Sequence, residues 1–169
     1  MAIVAGDIKW MLSVGSGGAA NVNPDVAWGG AISTADFSAL TTLFNNVAAV
    51  DALAGLTDYR CIYVKNNHGS LTYLAPKVWI QTNTPSPDTI ITIGLGTSAV
   101  NVAEQNTASL TAAPSGVTFV SAVDFANGVA LTDLAAGAYR AIWVKRVVTA
   151  GAASYADSFT LRVQGGTAP

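Results

Sequence analysis

The sequence predicts an all-β fold, an antiparallel β-sandwich or jelly-roll-like barrel with two related long hairpins and little helix. Three observations carry this. Short apolar or alternating runs are separated throughout by clusters of Gly, Pro and Asn. Hardly any segment sustains a helical stripe. A seven-residue phrase, Tyr59-Arg60-Cys61-Ile62-Tyr63-Val64-Lys65, returns as Tyr139-Arg140-Ala141-Ile142-Trp143-Val144-Lys145. The two copies lie about half a chain apart, far beyond the roughly 20 to 50 residues of solenoid and propeller repeats, so two related halves are expected instead of an array. At 169 residues the chain suits one β-structural domain, 1–169, able to bury a core without disulfide or metal staples.

In chain order, residues 7–13 form the first strand, with Ile8, Trp10 and Leu12 on one side and Lys9 and Met11 on the other. Residues 14–32 hold glycines, asparagines and Pro24, and form an irregular connection. A loop of that length is usually functional or held by a partner. Ser33–Asp36 can cap a short helix, and helix and strand fit 37–47 equally, because Phe37, Leu40, Leu43 and Phe44 have helical spacing but paired threonines and asparagines interrupt them. A loop runs on through the Ala-rich stretch to Thr57.

The first phrase puts Tyr59, Cys61 and Tyr63 on one face and Arg60, Ile62 and Val64 on the other. Asn66–Gly69 is a turn, and Leu71–Leu74 with Val78–Ile80 returns across Pro76, which marks an edge or a bulge. This gives the first hairpin, 59–80. After a loop with Pro85 and Pro87, Thr89–Leu95 is a strand, and Val117–Val120 opens another. Ala138–Val148, a Gly/Ala turn over Thr149–Ser154 and Asp157–Val163 make the second hairpin, 138–163. Strands apolar on both faces belong in a sandwich interior or turn their second face to a neighbouring subunit.

Composition narrows the function. Hydrophobic residues make up 51% and charged ones 11%, against about 25% in an ordinary soluble domain. With a mean hydropathy of +0.42, a homo-oligomeric or assembled subunit is expected. No stretch reaches the roughly 18 uninterrupted apolar residues of a spanning helix, so no membrane partner is expected. Residues 1–10 lack the basic and long apolar regions of a secretory signal, which suggests synthesis in a cytoplasm without export. A net charge of −2, with Lys145-Arg146 the one adjacent basic pair, argues against nucleic acid.

The residues for catalysis are sparse. His68 is the single histidine and sits in a turn, Cys61 is the single cysteine and lies within a strand, and Glu104 is the single glutamate. No spacing pairs carboxylates for glycoside chemistry, and Asn21-Val22-Asn23-Pro24-Asp25 has acceptors without the rest of a calcium-loop pattern. Ser16-Gly17-Gly18 and Gly94-Leu95-Gly96 lack the lysine of a phosphate loop. No catalytic, metal or cofactor residue is expected. Of the four tryptophans, Trp28 alone lies in a Gly-rich loop, where a contact across a subunit interface and anchoring within its own chain are equal readings. With Asn21, Asn23 and Pro24 it forms the candidate interface.

The segments Ser16–Pro24, Gly29–Ser33, Leu43–Val47, Tyr59–Asn66, Ile93–Gly96 and Tyr139–Arg146 together resemble, in order, a family of tailed-bacteriophage virion structural proteins. The resemblance covers most of the chain and implies a particle component without enzymatic residues, made in the host cytoplasm and located in the virion. The expected partners are the major capsid protein or other virion proteins. A capsid decoration or cement protein is the leading expectation, with a neck, tail or baseplate component as the alternative. A carbohydrate-binding or host-adhesion module is the reading of a different class.

Overall fold

The structure, a computed structural model, describes residues 2–38, 42–151 and 157–168. Among the described residues it has eight strands: β1 (Ile8–Ser13), β2 (Ile32–Asp36), β3 (Leu56–Asn66), β4 (Thr72–Thr82), β5 (Thr89–Leu95), β6 (Val129–Ala130), β7 (Tyr139–Val148) and β8 (Thr160–Ala168). One short helix, α1 (Ala49–Ala54), and two 3-10 turns complete it. The strands form a five-stranded sheet, β2-β1-β3-β7-β5, and a three-stranded sheet, β6-β4-β8, with all pairings antiparallel. The fold is an all-β sandwich. Its sheets are not closed into a barrel.

The repeated phrase occupies the middle of the larger sheet. β3 and β7 pair with Ile62 opposite Ile142, Cys61 opposite Trp143 and Tyr63 opposite Ala141, so each copy faces its counterpart about a local two-fold axis. β1 and β5 flank the pair on either side. Between the sheets lies the main core, which includes Leu12, Ile62, Val64, Val78, Ile80, Ile93, Ile142 and Val144. A second cluster, with Met11, Tyr59, Cys61, Tyr63, Ala141 and Trp143, lies on the outward face of the larger sheet. That face is covered by the chain's own 14–31 and 96–120 connections, where the Tyr63 hydroxyl bonds Gly30 O and Glu104 N–H and where Val117 and Phe119 pack on the cluster. The same connections take the β3 edge beyond β1, with Cys61 N–H donating to Ala27 O (2.7 Å) and Tyr59 N–H to Leu110 O (2.7 Å). Burial on both faces therefore needs no neighbouring subunit.

Several expectations are corrected. The two hairpins, 59–80 and 138–163, do not form as hairpins, because β3 and β4 lie in opposite sheets, as do β7 and β8. The reason is that β3 already has β1 and β7 on its two edges, and β7 has β3 and β5, so neither has an edge left for a returning arm. The returning arms pair with each other, Val78 opposite Val163. Asn66 supports the crossing with its side-chain amide, which donates to Leu71 O, Leu134 O and Ala135 O at 2.8, 2.9 and 3.3 Å. Ser33–Asp36 caps no helix and belongs to β2, where Ser33 is buried and its hydroxyl donates to Asn21 O (2.8 Å). Residues 37, 38 and 42–47 are neither helix nor strand, and Leu40 lies outside the described residues. The Ala-rich stretch is not all loop, since Ala49–Ala54 winds into α1 and stops at Gly55 with φ 84°. Val117–Val120 contributes an isolated bridge from Val120 to Ile93, not a strand. β8 starts at Thr160, so Asp157–Phe159 lies before it, and residues 152–154 of the expected turn are outside the described residues. Pro76 does mark a bulge: the β4–β8 register shifts between Leu74 and Lys77, with Ala75 at φ 43°.

Candidate interface loop and its buried polar anchors

Residues 14–31 leave β1, fold over the outward face of the larger sheet and re-enter it at β2. Ser13, fully buried at the end of β1, begins the anchoring: its hydroxyl accepts Gly29 N–H (3.1 Å) and its carbonyl accepts the Asn21 side-chain amide (2.8 Å). Val14 N–H to Ala31 O and Gly15 N–H to Gly29 O close the base of the loop at 2.9 and 2.8 Å. Gly29 is required there. Its φ is +113°, and a Cβ would stand 1.8 Å from Gln105 O.

Tyr63 ties the loop to the 96–116 connection. Gly30 and Glu104 exchange backbone hydrogen bonds at 3.0 and 3.1 Å, and the buried Tyr63 hydroxyl accepts Glu104 N–H (2.9 Å) while donating to Gly30 O. Burial pushes the phenol well above its ordinary value, so it stays neutral and can donate. The Glu104 carboxylate, also buried, accepts from Thr97 Oγ1 (2.9 Å), Ser98 N–H (3.1 Å) and Ser98 Oγ (2.9 Å). Burial alone would raise its carboxyl, but the donors from Ser98 and Thr97 together outweigh it and hold it below 4.5.

A second anchor lies where β3 and β7 diverge from the loop. Asp58 accepts from Arg146 through Nε (3.0 Å) and Nη2 (2.9 Å) and from Arg60 Nη1 (3.4 Å). Arg60 Nη2 reaches Asp25 at 3.1 Å, and Asn45 donates to the other Asp25 oxygen. Arg146 Nη1 donates to Asn45 O (2.7 Å). Phe44 lies against both cations, its ring centroid 5.0 Å from the Arg60 guanidinium carbon and 4.7 Å from that of Arg146. Two arginines and two aspartates balance in charge. Burial depresses the Arg60 guanidinium, and Asp58 and Asp25 oppose that loss.

The candidate interface residues are thus brought into one loop but have different surroundings. Asn21 is buried, spending its side chain on Ser13 O and, through Oδ1, on Asn23 N–H (2.8 Å). Asn23 is exposed and caps the 3-10 turn Pro24–Val26 by accepting Asp25 N–H (3.0 Å), with half-buried Pro24 opening that turn. Trp28 is half-buried, and its carbonyl accepts from Thr107 N–H (2.9 Å) and Oγ1 (3.3 Å). These bonds hold the Trp28 backbone within its own chain, while part of the residue stays open to solvent. None of the four tryptophans is exposed: Trp79 and Trp143 are buried, and Trp10 and Trp28 are half-buried. Cys61 is wholly buried, and His68 Nδ1 accepts from Ser70 and Leu71 N–H (3.1 and 3.0 Å) as a turn residue.

Sequence reasoning passed over Asp25, Asp58 and Arg146 as anchors. The available signal was Arg60 within an apolar strand, because a cation on a core-facing position needs a carboxylate brought to it. What these groups can do chemically is hold loops in place. Among the described residues no group of three or more His, Cys, Asp or Glu is arranged for a metal ion, and no helix is long and apolar enough to cross a membrane. Two grooves open between the sheets beside β8: one of about 1340 Å³ against Trp10, Phe44, Ile91 and Leu161, and one of about 390 Å³ against Ile3, Trp10, Leu161 and Gly165. In comparisons with known proteins, no family model matches this chain, and neither a curated protein nor a solved structure shows significant similarity to it.

Proposed function

We propose that this chain is a non-enzymatic structural protein of a tailed-bacteriophage particle, a capsid decoration or cement protein that stabilises the head through protein–protein contacts. The observation that carries the structural half of this reading is the use made of the polar side chains. Asp25, Asp58, Arg60, Glu104, Tyr63 and Arg146 clamp two long connections onto the central sheet. A domain whose surface loops are held this firmly offers a fixed shape to a partner, which limits the ordering cost of binding. The low content of charged residues supports close β-to-protein packing. The particle itself rests on the ordered set of motifs that resembles virion structural proteins. A cement protein acts by mass action: binding the assembled shell but not its dissociated parts raises the shell's stability.

The test is quantitative mass spectrometry of purified particles, with the heat stability of particles made with and without the protein. Copies in number comparable to the capsid subunits, and earlier disruption of particles lacking the protein, are the expected results. A few copies per particle would move the protein to the neck, tail or baseplate, and absence from the particle would end the reading.

A further inference from the structure

The smaller sheet ends on a bare edge. On the side of β4 away from β8, the 122–134 segment supplies partners: Ile80 N–H donates to Ala122 O (2.7 Å), Leu131 N–H to Pro76 O (2.9 Å), and Tyr73 and Leu134 exchange bonds at 2.8 and 2.9 Å. β8 has no such cover among the described residues. Among the described residues, the one hydrogen bond reaching β8 from beyond β4 is Ile3 N–H to the Thr167 hydroxyl (3.3 Å). Alternation in an antiparallel ladder fixes which groups are left over. Ile80 turns its N–H away from β8, so Leu161, directly opposite, turns its own N–H and C=O away from β4. Val163, two residues on, has the same orientation, and the side chains of both pack on the core.

The internal two-fold makes the gap specific. It relates β3 to β7, β1 to β5 and β4 to β8, so the far edge of β4, covered by 122–134, corresponds to the far edge of β8. Both grooves border β8 and share Trp10 and Leu161. The usual guards are missing as well, since β8 holds neither Lys nor Pro. Its one charged residue, Arg162, lies over the Trp79 ring at 5.5 Å, on the face of the sheet and not along its edge.

We propose that β8 pairs antiparallel with β8 of a second copy of this chain, about a two-fold axis at Val163, joining two three-stranded sheets into one of six strands. The strand is self-complementary in charge: this register sets Arg162 opposite Gln164 of the partner subunit and Leu161 opposite Gly165 of the partner subunit, and no like charges meet. The proposal goes beyond the particle reading and stands or falls separately from it.

Sedimentation velocity over a concentration series, with hydrogen exchange read by NMR on the full chain, tests it. A dimer is expected, with the Leu161 and Val163 amides exchanging more slowly as concentration rises. Val163→Pro removes an N–H that makes no bond among the described residues, and is expected to weaken dimerisation about 30-fold or more with an unchanged circular dichroism spectrum. A wild-type chain that stays monomeric at about 100 μM, or Leu161 and Val163 amides whose exchange ignores concentration, would overturn the proposal. The exchange measurement decides the matter on the wild-type chain even where V163P does not fold. Protection of these amides on assembled particles by a chain monomeric in solution would assign the edge to another protein and equally overturn self-pairing.

Discussion

Asp58 serves two arginines at once, and its removal is the most damaging single change to the charge cluster. With side chains only 3% and 10% exposed, Arg60 and Arg146 would keep their charges with much of their compensation gone. Asp58→Ala is expected to cost about 3 to 5 kcal/mol in urea unfolding. Glu104 carries a pH signature. Its folded carboxyl lies below the ordinary 4.5, so the unfolded chain takes up this proton first; the contribution is complete above that value and is lost as pH falls through the lower, folded one. Acid unfolding of Glu104→Gln, followed by tryptophan fluorescence, is expected to be less steep below about pH 4.5 than that of the wild type. At this scale the sequence was partly legible. Cys61 as a strand residue and His68 as a turn residue follow from their neighbours in the chain. The Asp58–Arg146 pair spans 88 positions, and nothing local links the two residues.

At the scale of elements, the β3–β7 pair is the centre of the sandwich, and Ile62 opposite Ile142 lies on its local two-fold. Both side chains are buried, 2% and 0% exposed. Ile62→Ala and Ile142→Ala should each cost about 2 to 5 kcal/mol, and because the two residues lie directly opposite each other in one core the double variant should depart from additivity by about 0.5 kcal/mol or more. Chemical denaturation of the four proteins measures this. The long strands β1, β3, β4, β5 and β7 were readable from the repeated phrase and from apolar runs between turn residues, whereas β2, expected as a helix cap, and the two-residue β6 were not. Their partners were not, because a short turn such as Asn66–Gly69 looks the same whether the next strand pairs in the same sheet or crosses to the other. Occupied edges on β3 and β7 decided for crossing.

At the scale of the whole molecule, the two related halves share one core and one central strand pair, so neither half has a sheet of its own. Far-ultraviolet circular dichroism and tryptophan fluorescence should therefore report one coincident unfolding transition. Separate transitions would divide the chain into two units.

The residues alone carried the all-β class, an irregularity at Pro76 and the relatedness of the two phrases, since alternation, turn residues and a near-identical phrase are local properties that survive reading along the chain. The cover on the outward face of the larger sheet, the balanced arginine–aspartate cluster and the bare edge of β8 were decided only by the tertiary structure. Each depends on which distant segment reaches a strand first. That choice comes from competition for hydrogen-bonding edges and for burial, and the local pattern of a strand does not record who wins it.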